Sequence, residues 1–124
     1  MDPLGSVPIY QQIRDEVVRG IARGELVRGE PLASVRSLAG AFAINPATVT
    51  KAYDLLRSEG FVATNAKSGT FVAHDRTDDP PGDFTTPWRA RLAMVLAEAR
   101  AQGLTSEQIA DISADVASAV ETKE

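Results

Sequence analysis

Apolar residues recur every fourth position from Ile9 through Ile13 and Val17 to Ile21, and Val18 widens the stripe. That period puts them on one face of a helix, and Gly24 is placed to end it. Gly29-Glu30-Pro31 then marks a turn. Ser34 can cap a second helix that buries Val35, Leu38, Ala39 and Phe42. Ala43-Ile44 makes a tight corner. Asn45 is a good N-cap, followed by Pro46 where a missing N–H costs nothing. The third helix runs to about Glu59, burying Val49, Ala52, Tyr53 and Leu56, and Gly60 supplies a left-handed exit. Two short strands come next, about 61–64 and 70–73, joined through Asn65-Ala66-Lys67-Ser68-Gly69. Three helices and a hairpin make a winged helix-turn-helix, so the predicted fold is mainly α with a small β-hairpin.

Beyond this domain (residues 1–74) the pattern changes. Residues 75–86 hold Asp75, Asp78, Asp79 and Asp83 with Pro80, Pro81 and Gly82. Such a stretch cannot bury enough to fold alone and reads as a solvated acidic linker. Residues 87–124 read as two helices. Thr86 can cap the first, with Pro87 at its first position and a stripe of Trp88, Leu92, Val95, Leu96 and Ala99. Gly103 ends it. Thr105 and Gln108 have capping-box spacing for the second, and Leu104 and Ile109 are placed as a hydrophobic staple. That helix carries Ile109, Ile112, Val116 and Val120 on its apolar face. Two helices with one stripe each cannot make an independent core, and units this small need partners. A homodimer that buries both stripes is therefore expected, through Trp88, Leu92, Val95, Leu96, Ile109, Ile112 and Val116.

Charge adds a second asymmetry. The formal net charge of the 124 residues is −4. Residues 1–74 hold eight Lys/Arg and seven Asp/Glu, whereas residues 75–124 hold five and ten. Acidity is thus a property of the tail. No apolar run is long enough to cross a bilayer, and Asp2 and Pro3 stand where a signal peptide needs a basic start. Cysteine is absent, which excludes disulfides and thiolate metal sites. A cytoplasmic protein without membrane contact is expected. His74 is the only histidine and cannot make a zinc site without further ligands. With one histidine, no cysteine and no phosphate-cradling Gly-rich loop, no enzyme site, metal or cofactor is expected.

The chemistry lies in the second and third helices. In a helix pair of these proportions the second helix enters the major groove with its N-terminal residues near base edges. Here that turn is Asn45-Pro46-Ala47-Thr48-Val49-Thr50-Lys51. The hydroxyls of Thr48 and Thr50 and the cation of Lys51 suit phosphates and base edges, and free amides at the helix start favour a phosphate. Val49 faces the core. Asn45 reads equally as a pure cap and as a DNA contact. Tyr53 reads as packing and Arg57 as a solvated helix position.

Several ordered stretches resemble one family. They are Pro8-Ile9-Tyr10-Gln11-Gln12-Ile13, Leu32-Ala33-Ser34-Val35-Arg36-Ser37-Leu38-Ala39, Asn45 through Tyr53, Leu56-Arg57-Ser58-Glu59-Gly60-Phe61-Val62, and Ser68-Gly69-Thr70-Phe71-Val72. Residues 8–73 thereby resemble the DNA-binding domain of the GntR family of bacterial regulators. The short tail resembles that of the YtrA subfamily, which serves dimerisation and whose members often repress transporter operons. The resemblance implies that Arg36, in Leu-x-Ser-x-Arg, contacts DNA from the start of the second helix. It also implies that Thr48 binds phosphate and that Gly69 lets the wing approach the minor groove. The expected DNA-binding set is Arg36, Ser34, Asn45, Ala47, Thr48, Thr50, Lys51, Lys67 and Gly69. Three residues depart from the family pattern. Ala33 replaces a usual proline, Thr50 a common arginine and Lys67 a common wing glycine.

The expected function is a repressor that binds a palindromic operator as a homodimer. Two rival readings stand beside it. A winged helix can serve protein–protein contact without DNA. A ligand-switched regulator would need a pocket in which Phe84 and Trp88 could take part; no effector is identified by the residues.

Overall fold

The computed structural model describes residues 6–122. It divides into two compact units, the first ending at Thr77 and the second starting at Asp78. In the first, α1 (Ile9–Ala22), α2 (Val35–Phe42) and α3 (Pro46–Ser58) precede the antiparallel strands β1 (Val62–Asn65) and β2 (Gly69–Val72). Their core gathers Ile13 from α1, Ala39 from α2, Val49, Ala52, Tyr53 and Leu56 from α3, and Val62 from β1. Val49, Leu56 and Val72 are completely buried. Three of the four stripe positions of α1 face this core, Ile13 within it and Ile9 and Val17 packed at its edge, while Ile21 is buried outside that cluster.

Helix ends explain how so short a chain turns so often. After α3, Glu59 is the C-cap and Gly60 comes next at φ 85°. Phe61 N–H donates to Leu56 O at 3.0 Å and Gly60 N–H to Arg57 O at 3.1 Å, the paired bonds of a Schellman motif. The same turn ends α2, where Ile44 N–H donates to Ala39 O at 3.0 Å. Its left-handed residue is Ala43, at φ 52° the only non-glycine with positive φ among the described residues. A left-handed alanine costs about 1 kcal/mol. The corner between α2 and α3 is therefore held by Ile44 and Val49, which pack into the core just beyond it.

The hydrophobic pattern misplaced Phe42, which is 53% exposed instead of buried. α2 spans only eight residues and stops at Phe42. The left-handed turn brings Ile44 back against the core, while Phe42 overhangs.

The wing has the expected pairing, but its strand bounds shift by one residue toward the tip. Asn65 pairs with Gly69, so the strands lie at 62–65 and 69–72 and three residues remain at the tip. The closure is local: Ser68 N–H donates to Asn65 Oδ1 at 2.6 Å. Residues 29–31, expected only as a turn, and Leu32 after them lie along β2 in addition. Gly29 N–H donates to Val72 O at 2.7 Å, Val72 N–H to Glu30 O at 2.9 Å and Leu32 N–H to Thr70 O at 2.8 Å. Pro31 bridges Phe71; on an edge its missing N–H leaves no partner orphaned.

Asp75, read from composition as part of the solvated linker, is 6% exposed. Its carboxylate accepts from Thr77 Oγ1, from Arg28 N–H at 2.7 Å and from Thr77 N–H at 2.8 Å. The Thr77 hydroxyl bond first, then the two backbone N–H groups, hold its pKa down at about 2. An unfolded aspartate titrates near 3.9. The ionised form is therefore favoured by folding, and its stabilisation is present above about pH 4 and lost as pH falls through about 2. Asp75→Ala should accordingly lower the melting temperature at pH 7, with the gap from wild type shrinking by pH 3. Thermal unfolding of both proteins at the two pH values checks this, and a gap independent of pH contradicts it.

The second unit holds α4 (Thr85–Ala101) and α5 (Ser106–Val120). α4 starts at Thr85 with Phe84 as N-cap and no side-chain cap. Thr86, expected as the cap, instead donates its hydroxyl to Asp83 Oδ1 at 2.8 Å. Pro87 sits in the first turn, where N–H groups lack intrahelical acceptors anyway. The capping box of α5 is present: Gln108 N–H donates to Thr105 Oγ1 at 3.1 Å and Thr105 N–H to Gln108 Oε1 at 2.9 Å. Neither helix buries a residue within the chain. Val116, Val120 and Ile112 are each at least half exposed, because two helices can shield only the line along which they meet.

Candidate nucleic-acid interface

The start of α3 is built by capping and by one buried anchor. Asn45 Oδ1 accepts from Ala47 N–H at 2.9 Å, so this oxygen is committed to the helix. Val49, fully buried, pins the first turn to the core. Ala47 and Thr50 are left exposed and Thr48 half-exposed. Lys51 is exposed but not unconstrained: its Nζ lies 4.1 Å from the centre of the Tyr10 ring of α1, a cation–π contact.

The start of α2 is arranged similarly. Ser34 Oγ accepts from Ser37 N–H at 3.0 Å. Arg36, two residues on, is exposed and has no hydrogen bond or ion pair among the described residues. The lead into α2 is tied down from two sides. Tyr53 Oη donates to Ala33 O at 2.7 Å, and burial pushes the Tyr53 phenol above its usual pKa, so the proton is retained. On the other side Leu32 N–H is bonded to β2. The tyrosine thus holds the carbonyl of Ala33, at the position where a proline is usual in the family resembled. One hydrogen-bonded path joins α3, the start of α2 and the wing.

The wing presents Lys67, exposed and without a partner among the described residues, at its tip. Gly69 has φ 66°, and a β-carbon there would meet nothing within 4 Å. The backbone, not space, is what requires glycine.

Sequence reasoning missed the residues that brace these elements. Arg14 of α1 grips Glu59 at the end of α3 with two bonds, of 2.8 and 2.7 Å. Those bonds hold the guanidinium above its ordinary pKa. Arg57, taken as solvated, bonds both Asp54 and Thr64. The spacing of Asp54 and Arg57 signals the first of these contacts; nothing local signals the second. His74 stands edge-on to Phe61, ring centres 6.4 Å apart. Among the described residues no cluster of histidine and carboxylates could hold a metal, and no helix is long and apolar enough to cross a membrane.

In the second unit all seven residues expected to mediate dimerisation line one groove of about 610 Å³ between α4 and α5. Leu96 and Ile109 form its half-buried floor, and Trp88, Leu92, Val95, Ile112 and Val116 its exposed walls.

Residues 9–72 match the family of bacterial regulatory proteins, gntR family. The chain is 33% identical over 120 residues to the HTH-type transcriptional repressor YtrA of Bacillus subtilis, covering 94% of this chain and 92% of that one. Its fold is similar to a transcriptional antiterminator from Listeria monocytogenes, with a TM-score of 0.86 and 24% identity, over 100% of this chain and 95% of the other. The AraR DNA-binding domain, solved in complex with operator ORR3, is 30% identical with a TM-score of 0.51, over 59% of this chain and 92% of that domain. These relatives are transcription regulators, not enzymes.

Proposed function

Because the chain belongs to the GntR family of bacterial regulatory proteins, a family of DNA-binding transcription regulators, we propose that it is a repressor acting as a homodimer on a palindromic operator. The observation that carries this reading is the pair of exposed, capped helix starts at Ser34 and Asn45 in the first unit; the apolar groove of the second unit supports the dimer. The N-terminal turn of α3 enters the major groove. Thr48, Thr50 and Lys51 meet phosphates and base edges there, and Arg36 reaches DNA from α2. Lys67 and Gly69 bring the wing to the adjacent minor groove. Lys51 leaves the Tyr10 ring for a phosphate, an exchange of one partly solvated cation contact for a stronger one.

Two copies bury their α4–α5 grooves against one another as a four-helix arrangement. Two-fold symmetry then sets two α3 helices about one helical turn apart on a palindrome. The acidity of residues 75–124 repels DNA and limits non-specific binding. Occupying a promoter would block transcription, and the relative named as a repressor supports that sign. Resemblance to the YtrA subfamily points to a transporter operon as the regulated unit. Such a protein works in the cytoplasm, where its DNA is.

Selection of bound duplexes from a random pool tests the reading. A palindrome with half-sites about one turn apart is expected, bound with an affinity that falls steeply with salt. Failure to enrich any sequence at low salt contradicts it and favours a protein-binding winged helix.

A further inference from the structure

Within the proposed DNA-reading role, on which this inference rests, we propose that Arg57 is a positioning residue: it locks the wing to the reading helix so that the two engage duplex DNA as one unit. Arg57 lies in the last turn of α3. Its Nη1 donates to Asp54 Oδ1 at 2.6 Å, one turn back on the same helix. Its Nη2 donates to Thr64 Oγ1 at 2.8 Å, on β1. Thr64 and Thr70 are cross-strand partners, and their hydroxyls meet at 3.0 Å. The chain Asp54–Arg57–Thr64–Thr70 therefore runs from the helix across both strands, just below the Asn65–Gly69 pair that closes the tip.

The energetics favour orientation over stability as its use. Asp54 and Arg57 are largely exposed, their side chains at 63% and 40%, and exposed pairs contribute little to folding. A two-stranded hairpin, by contrast, is marginal alone. Below the clasp it is held by residues 29–32 along β2 and by Ala73 N–H donating to Phe61 O at 2.8 Å. The clasp fixes its outer half. The planar guanidinium suits this role because its separate nitrogens face two partners at once, which a lysine ammonium does not reproduce.

The test compares Thr64→Val, Arg57→Ala and their combination on a duplex enriched by the wild-type protein from a random pool. Valine keeps the strand propensity and shape at position 64 while deleting the acceptor, and leaves the Arg57 charge in place. Each single variant should bind about fivefold more weakly, the double variant no more weakly than either. The dependence on salt should be unchanged, and order parameters of the wing amides 65–69 should fall in both. Thr64→Val with wild-type affinity or wild-type wing order overturns the proposal. So do additive losses, or an Arg57→Ala salt slope reduced by about 1, the sign of a direct phosphate contact. If the wild-type protein itself enriches no duplex, the DNA-reading function fails and this proposal falls with it.

Discussion

Val116→Asp should turn the protein into a monomer and weaken operator binding by about a hundredfold or more. Val116 sits on the wall of the α4–α5 groove, 55% exposed in the single chain. A carboxylate there is well solvated as long as the chain is alone, so the fold of the helix pair is not at stake. In a dimer that closes the groove it would be stripped of water with no cation lining the groove to receive it, at a cost of several kcal/mol per copy. Linking two reading heads raises affinity by about 10²–10⁴ over one head, and that gain is lost with the dimer. Sedimentation velocity checks the first half and a titration of operator duplex the second. A dimer that persists in Val116→Asp places the subunit interface elsewhere.

Arg36→Ala should weaken operator binding by about ten- to hundredfold, the worth of a bidentate contact to a base or phosphate. Its melting temperature should stay at the wild-type value, because Arg36 is exposed and has no partner among the described residues. Arg36→Lys separates two modes of contact. A point charge suffices for a lone phosphate, whereas a forked contact is not restored by lysine. Binding within twofold of wild type for Arg36→Ala contradicts its role.

The parts of the fold that could be read from the sequence are those specified within a few residues. Asn45-Pro46 announces the start of α3 because capping and a proline at the first position act locally. Thr105 and Gln108 announce α5 for the same reason. The α1 stripe shows because one side of that helix is covered along its length, Ile9, Ile13 and Val17 by the core and Ile21 buried beyond it. Phe42 shows where periodicity stops being informative: it keeps the period of α2, but the helix ends there and the turn substitutes Ile44.

Asp75 fails for another reason. Its composition is that of a linker, and its burial depends on the amide of Arg28, 47 residues away in sequence. The same limit applies at the site. Ser34, Arg36 and the Asn45 turn are contiguous motifs and stand out, whereas Tyr53 and Arg57 act through partners on other elements. The tail was readable as two amphipathic helices, and the groove gathers all seven apolar residues those stripes contain as dimer candidates.

The most direct test is methylation interference at guanine N7, which lies in the major groove, on a selected operator duplex. Two patches of interference on one face of the duplex, centred about ten base pairs apart, are expected for the wild-type protein, and Arg36→Ala should weaken both equally. No interference at any guanine N7, or a single patch with no symmetric counterpart, contradicts two Asn45 turns seated in the major groove of a palindrome.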